Sequence, residues 1–150
     1  MIKVADYISL DRTFLFEKEK DRGAIIQRLC ESIARSENIT HPQKFTEDIL
    51  EREKIMSTGI GLGIAIPHTK SEHVKDITIA LGVSPEGVEW DSLDGKPVHF
   101  VVMIAAHISQ HNDYLKILAK VALVLKSEKK RDQLIHAKSP EAIYEVFSAL

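Results

Sequence analysis

The chain has 150 residues, 44% of them hydrophobic and 28% charged, with a formal net charge of −2 at pH 7. That length favours one domain with a sizeable core, and the lack of a basic excess speaks against a charge-driven nucleic-acid binder. No apolar run approaches the ~18 residues of a membrane span, the N-terminus lacks an apolar signal core, and the one cysteine, Cys30, cannot form an internal disulfide, so a cytoplasmic protein without direct membrane insertion is expected.

Residues 13 to 16, TFLF, read as an edge strand. From Asp21 to Ser36 the apolar residues Ile25, Ile26, Leu29, Cys30 and Ile33 recur at helical spacing behind a possible Asp21 cap, which makes Cys30 a small core residue. Pro42 opens a second helix, capped by Thr40 or His41 and running to about Met56. Its apolar stripe of Phe45, Ile49 and Met56 includes Arg52. An arginine there either snorkels at the helix end or points into a site for an anion. Glu51 and Glu53 read as its solvated flank.

The segment Gly59 to Lys70, GIGLGIAIPHTK, leads through three alternating glycines and a brief strand, Ile64 to Ile66, into Pro67 and His68. Proline fixes its own φ and holds the preceding residue extended, so His68 is presented on a backbone with few ways to bend. The spacing GxGxG followed by a strand differs from the dinucleotide-binding GxGxxG that opens a helix. The polar stretch Thr69 to Asp76 reads as a turn.

Downstream, residues 76 to 83 alternate as a half-buried strand, with Ile77, Ile79, Leu81 and Val83 on one face. Val88 to Trp90 suggests a further short strand, Asp94-Gly95 a turn, and Val98 to Ala106, almost wholly apolar, a central strand covered on both faces. A loop carrying His107, Gln110 and His111 leads to Asn112 or Asp113 as cap of a helix from Tyr114 to about Lys126, with Leu115, Leu118, Val121, Ala122 and Leu125 inward. Ser127 caps a shorter helix with Leu134 and Ile135, and Ser139-Pro140 opens the last, with Ile143, Phe147 and Leu150 inward. Helices interleaved with strands predict an α/β fold over residues 1 to 150, a single domain with a mixed β-sheet of about five strands flanked by helices on both faces.

The run Gly-Ile-Ala-Ile-Pro-His-Thr-Lys resembles the active-site signature of the IIA phosphocarrier domains of the bacterial phosphoenolpyruvate-dependent sugar phosphotransferase system, of the fructose, mannitol and nitrogen-regulatory type, and the likeness extends over nearly the whole chain. The resemblance implies that His68 accepts a phosphoryl group, that Arg52 stabilises it, that HPr or a paralogue is the donor, and that a IIB domain cysteine or a regulatory target is the partner downstream. It implies no cofactor and no metal. Many members carry a second histidine where this chain has Tyr114; the tyrosine hydroxyl can still donate a hydrogen bond but carries no charge, and His111 could supply the imidazole instead. Thr69 and Lys70 could also donate, although both fall in the expected turn. A metal site built from His68, His73, His107 and His111 is the rival reading, but no HExxH or paired-cysteine motif supports it. His41, His73, His99 and His136 read as surface or strand residues. With no IIB or membrane segment read in residues 1 to 150, a transport role is expected to need a membrane part supplied elsewhere.

Overall fold

The longest apolar run forms the centre of the sheet. Strand β6 (Val98–Ala106) is buried along its length except at His99, and it pairs antiparallel with β5 (Thr78–Val88). The computed structural model describes residues 2–55 and 59–150, the side chains of residues 54 and 55 excepted. Beyond β5 lies the edge strand β1 (Thr13–Leu15), parallel to it. On the other side of β6 run β3 (Ile64–Ala65) and β4 (His68–Lys70), both parallel to it, and β2 (Gly59–Gly61) closes a hairpin onto β3. The sheet is therefore mixed and six-stranded, in the order β1-β5-β6-β3-β2 with β4 also on β6.

Helices cover both faces, as the interleaved pattern requires. On one face α1 (Arg22–Ala34) and α2 (Pro42–Ile55) bury Ile25, Leu29, Cys30, Ile33, Phe45 and Ile49 against Ala80, Val101, Met103 and Ala105. On the other, α3 (His111–Lys126), α4 (Glu128–Ile135) and α5 (Pro140–Ser148) pack Ile117, Val121, Leu134, Ile143 and Phe147 on Ile79, Leu81, Val102 and Ile104. The expected caps are in place: the side chains of Asp21, Ser127 and Ser139 accept from the backbone N–H of Gly23, Lys130 and Ala142.

Four sequence expectations need correction. β5 is not half-buried: Thr78, Ala80 and Gly82 lie under α1 as deeply as the isoleucines lie under the opposite helices. No separate strand runs from Val88 to Trp90, because β5 continues through an irregular register to Val88, opposite Val98. The inward face of α3 is rotated from the expected one, with Tyr114, Ile117, Val121, Val124 and Leu125 buried and Leu115 46% exposed. Ten of its residues are apolar enough to fit several stripes, and packing against the apolar sheet face and α4 selects among them. Finally, the expected turn from Thr69 to Asp76 starts later than read: His68–Lys70 form the strand β4, and the chain turns at Glu72 and His73.

Candidate functional site

β3 and β4 are two halves of one line. Ile64 and Ala65 pair with Phe100 and Val101, and His68, Thr69 and Lys70 with Ile104, Ala105 and Ala106, so partners lie 36 positions apart in both halves. The register survives the break at Ile66-Pro67. Proline has no N–H to give a ladder, but its carbonyl still accepts from Ile104 N at 3.0 Å, which carries the line across. β4 has no partner on its outer side among the described residues, so this is an edge, and His68 stands half-buried upon it.

The break also turns a carbonyl toward the ring. His68 Nδ1 lies 2.8 Å from the carbonyl oxygen of Ile66. A carbonyl only accepts, so Nδ1 carries a proton and donates it. In the neutral ring the free lone pair is then on Nε2.

Alternation along β4 sorts its three residues. Paired with Ile104 and Ala106, His68 and Lys70 face the α3 side, whereas Thr69, opposite Ala105, is buried under the α1 and α2 layer. Thr69, a candidate supporting donor, therefore points away from His68, and Lys70, expected in a turn, shares its face. The Tyr114 ring lies 5.8 Å from that of His68, Lys70 Nζ lies 5.1 Å from the Tyr114 ring centre, and the His111 ring is 6.3 Å from Tyr114. Lys70 Nζ is also 2.7 Å from His111 Nδ1. Tyr114 and His111 are thus both at the site, one as its buried floor and the other on its exposed rim.

His111 was expected in a loop, yet it is the first residue of α3. A 3-10 turn, Ile108–Gln110, holds it there: His107 Nδ1 accepts from Ser109 N, and the Gln110 side chain accepts from His107 N at 3.0 Å. The reciprocal pair is a capping box written with histidine and glutamine instead of serine and glutamate, and for that reason the spacing did not announce it. Gln110 also donates to Asp76 at the foot of β5, 2.7 Å away, which ties the connection to the sheet.

Arg52 follows Phe45 and Ile49 on the α2 stripe but passes beyond the core and is exposed; Met56, the last expected member, lies outside the described residues. Its charge nonetheless reaches the site. Burial pushes the Tyr114 phenol above its ordinary pKa, and the Arg52 guanidinium pulls the other way. The net effect keeps the hydroxyl protonated, a donor, at neutral pH. Glu53, expected on a solvated flank, is instead buried and paired with Arg22 of α1, whose Nε donates to Oε2 at 3.1 Å and whose Nη2 donates to the Glu53 carbonyl at 3.1 Å. That clamp holds the last turn of α2, and so the backbone of Arg52, against α1.

Around the Tyr114 ring, beside His68, the chain brings an ammonium and a second imidazole, with the charge of Arg52 felt at the phenol, a set that suits a tetrahedral anion. His107 is occupied as a cap and the His73 ring lies tilted against that of His41, 4.4 Å between centres; among the described residues no three His, Cys, Asp or Glu side chains converge as a metal site would require. No helix among them is long and apolar enough to cross a membrane.

Comparison with known proteins shows the family. Residues 6–149 match the family described as "Phosphoenolpyruvate-dependent sugar phosphotransferase system, EIIA 2". The chain is 35% identical over 147 residues to the PTS system fructose-specific EIIABC component of Bacillus subtilis, covering 98% of this chain but only 23% of that protein. Among solved structures it resembles the nitrogen regulatory protein IIA-Ntr of Neisseria meningitidis, with a TM-score of 0.85 and 26% identity over 96% of this chain and 98% of that one. Its fold is also that of the mannitol IIA solved in complex with phosphorylated IIB from Escherichia coli, with a TM-score of 0.80 at 22% identity over 95% and 99% of the two chains. The chain belongs to the EIIA 2 family of the phosphoenolpyruvate-dependent sugar phosphotransferase system.

Proposed function

We propose that this chain is a cytoplasmic phosphocarrier in which His68 takes a phosphoryl group from phosphorylated HPr, or a paralogue, and gives it to a cysteine of a IIB domain. The observation that carries the reading is the 2.8 Å bond from His68 Nδ1 to the Ile66 carbonyl, which leaves Nε2 as the nucleophile at the positive edge of the sheet. In the forward step the bond from phosphorus to the donor's imidazole nitrogen breaks as that to Nε2 forms, and the donor ring leaves with the electron pair. In the second step a IIB thiolate attacks phosphorus and the lone pair returns to Nε2. Neither step moves a proton at His68, because Nδ1 keeps its own throughout.

Phosphoryl transfer proceeds through a loose transition state, so the protein contributes position and charge rather than covalent chemistry of its own. Arg52 supplies the guanidinium that neutralises the phosphoryl oxygens, and Tyr114 offers a hydroxyl donor from below. The second reading is a regulator whose binding to target proteins depends on phosphorylation of His68. It is favoured by the likeness to the Neisseria nitrogen regulatory protein, and a phosphoryl group adds about −1.5 to −2 charge, enough to remodel a docking surface.

Incubation with phosphoenolpyruvate, enzyme I and HPr, followed by intact mass measurement, tests the proposal. One acid-labile phosphoryl group is expected on the wild type and none on His68→Ala. An equal gain in both proteins would overturn the site. Addition of IIB then separates the two readings: loss of the label from His68 to a IIB cysteine supports transport, and retention supports regulation.

A further inference from the structure

The polar residue nearest the site that the phosphocarrier reading leaves without a task is Lys70. It lies two positions from His68 on β4, about 6–7 Å along the strand and on the same face, and its ammonium sits over the Tyr114 ring within 2.7 Å of His111 Nδ1. An ammonium has only donors. It can approach an imidazole nitrogen that closely only if that nitrogen bears no proton. The contact therefore describes a neutral His111 with its proton on Nε2.

We propose that Lys70 is a positioning residue for phosphoryl transfer, holding His111 in the Nε2–H tautomer so that the pair presents a fixed cation and an aimed N–H donor to the oxygens of phosphorylated His68. The pair divides between two residues what one protonated histidine could do alone: charge comes from the strand and direction from the first turn of α3. The N-terminal end of that helix is held by the His107–Gln110 capping box, so His111 is presented on a fixed backbone. The buried Tyr114 ring forms the platform on which the Lys70 stem and the ring of His68 both rest. Three positive or donating groups then meet the phosphoryl group from three elements: Arg52 from α2, Lys70 from β4 and His111 from α3.

The inference rests on His68 being the acceptor, and its test has one readout that does not. Imidazole 15N shifts of the unphosphorylated protein report the His111 tautomer directly. Wild type and Lys70→Arg should show the Nε2–H form, and Lys70→Met a mixture of both. With phosphorylated HPr as donor, Lys70→Met should slow labelling of His68 roughly tenfold to a hundredfold, the range for losing one hydrogen bond to a charged group, with Lys70→Arg restoring most of the rate. The Lys70→Met, His111→Gln double variant should be little slower than Lys70→Met alone, since the two residues act as a unit. A His111 tautomer indifferent to Lys70→Met, or strictly additive rate losses, would overturn the proposal. Unlabelled His68 in the wild type would instead overturn the phosphocarrier reading, and the tautomer measurement would still judge the pair.

Discussion

β6 and the line formed by β3 and β4 run side by side in one register, and they are built for opposite purposes. β6 is nine residues without interruption, paired on both sides and sealed under helices on both faces. Its neighbour is broken by Ile66-Pro67, lacks a partner beyond β4 among the described residues and ends on three polar residues. The continuous strand carries stability. On the proposed reading the broken one offers the chemistry: the Ile66 carbonyl beyond the last β3 pair orients His68, while the intact register fixes where the ring stands. Site and scaffold are thus adjacent strands, which makes their contributions separable by substitution.

The largest effect is expected from the scaffold side. Ile104 is fully buried and faces His68 across the ladder. Ile104→Ala should cost about 2–5 kcal/mol, by the lost apolar burial and the cavity left behind, as measured by urea unfolding. His68→Ala, on a half-buried edge position, should change stability by no more than about 1 kcal/mol while abolishing phosphorylation. Comparable destabilisation by both substitutions would deny the division between the strands.

A second effect tests the floor beneath β6. Cys30 of α1 lies with its sulfur 3.8 Å from Met103 of β6, and burial pushes its thiol up to about 12. The folded chain keeps that proton at a pH where the unfolded chain, with its thiol at an ordinary value near 9, has lost it. Fewer protons on the unfolded state means that stability falls as pH rises, by about 1.4 kcal/mol per unit between the two values. Cys30→Ala should flatten this part of the pH profile, and the native thiol should resist iodoacetamide at pH 8. Rapid native alkylation would show the α1 layer to be looser than its packing implies.

The same contrast explains what could be read in advance. β6, α1 and α2 announce themselves because burial imposes long apolar periods, and Ser127 and Ser139 because caps use few residue types. β4 was hidden because His68-Thr69-Lys70 has no apolar alternation; its strand character comes from pairing with Ala105 and Ala106, which lies beyond local sequence. Lys70 was read as a turn residue for that reason. As candidates, His68 was singled out by Pro67 and the family signature, and Arg52 by a charge on an apolar stripe. The Arg22–Glu53 clamp was not, since nothing local marks a glutamate that is buried by a neighbouring helix.

The smallest effect, and the one that sharpens the contrast most, belongs to Pro67. Replacing it with alanine leaves the carbonyl that Ile104 N uses and adds an N–H on the same side, toward β6, so the ladder should persist. What is lost is restraint: Ile66 is no longer held extended, and the unfolded chain gains freedom. Pro67→Ala should lower stability by roughly 0.4–1 kcal/mol, a shift of about 1–4 °C in Tm for a chain of this size. The site should register more than the scaffold does, because the bond from His68 Nδ1 to the Ile66 carbonyl depends on that restraint. Imidazole 15N spectra should show His68 passing from one tautomer to a mixture, and labelling by phosphorylated HPr should slow in proportion to the population lost. An unchanged His68 tautomer in Pro67→Ala would mean that the ring is oriented by its surroundings on α3 rather than by the break in the strand.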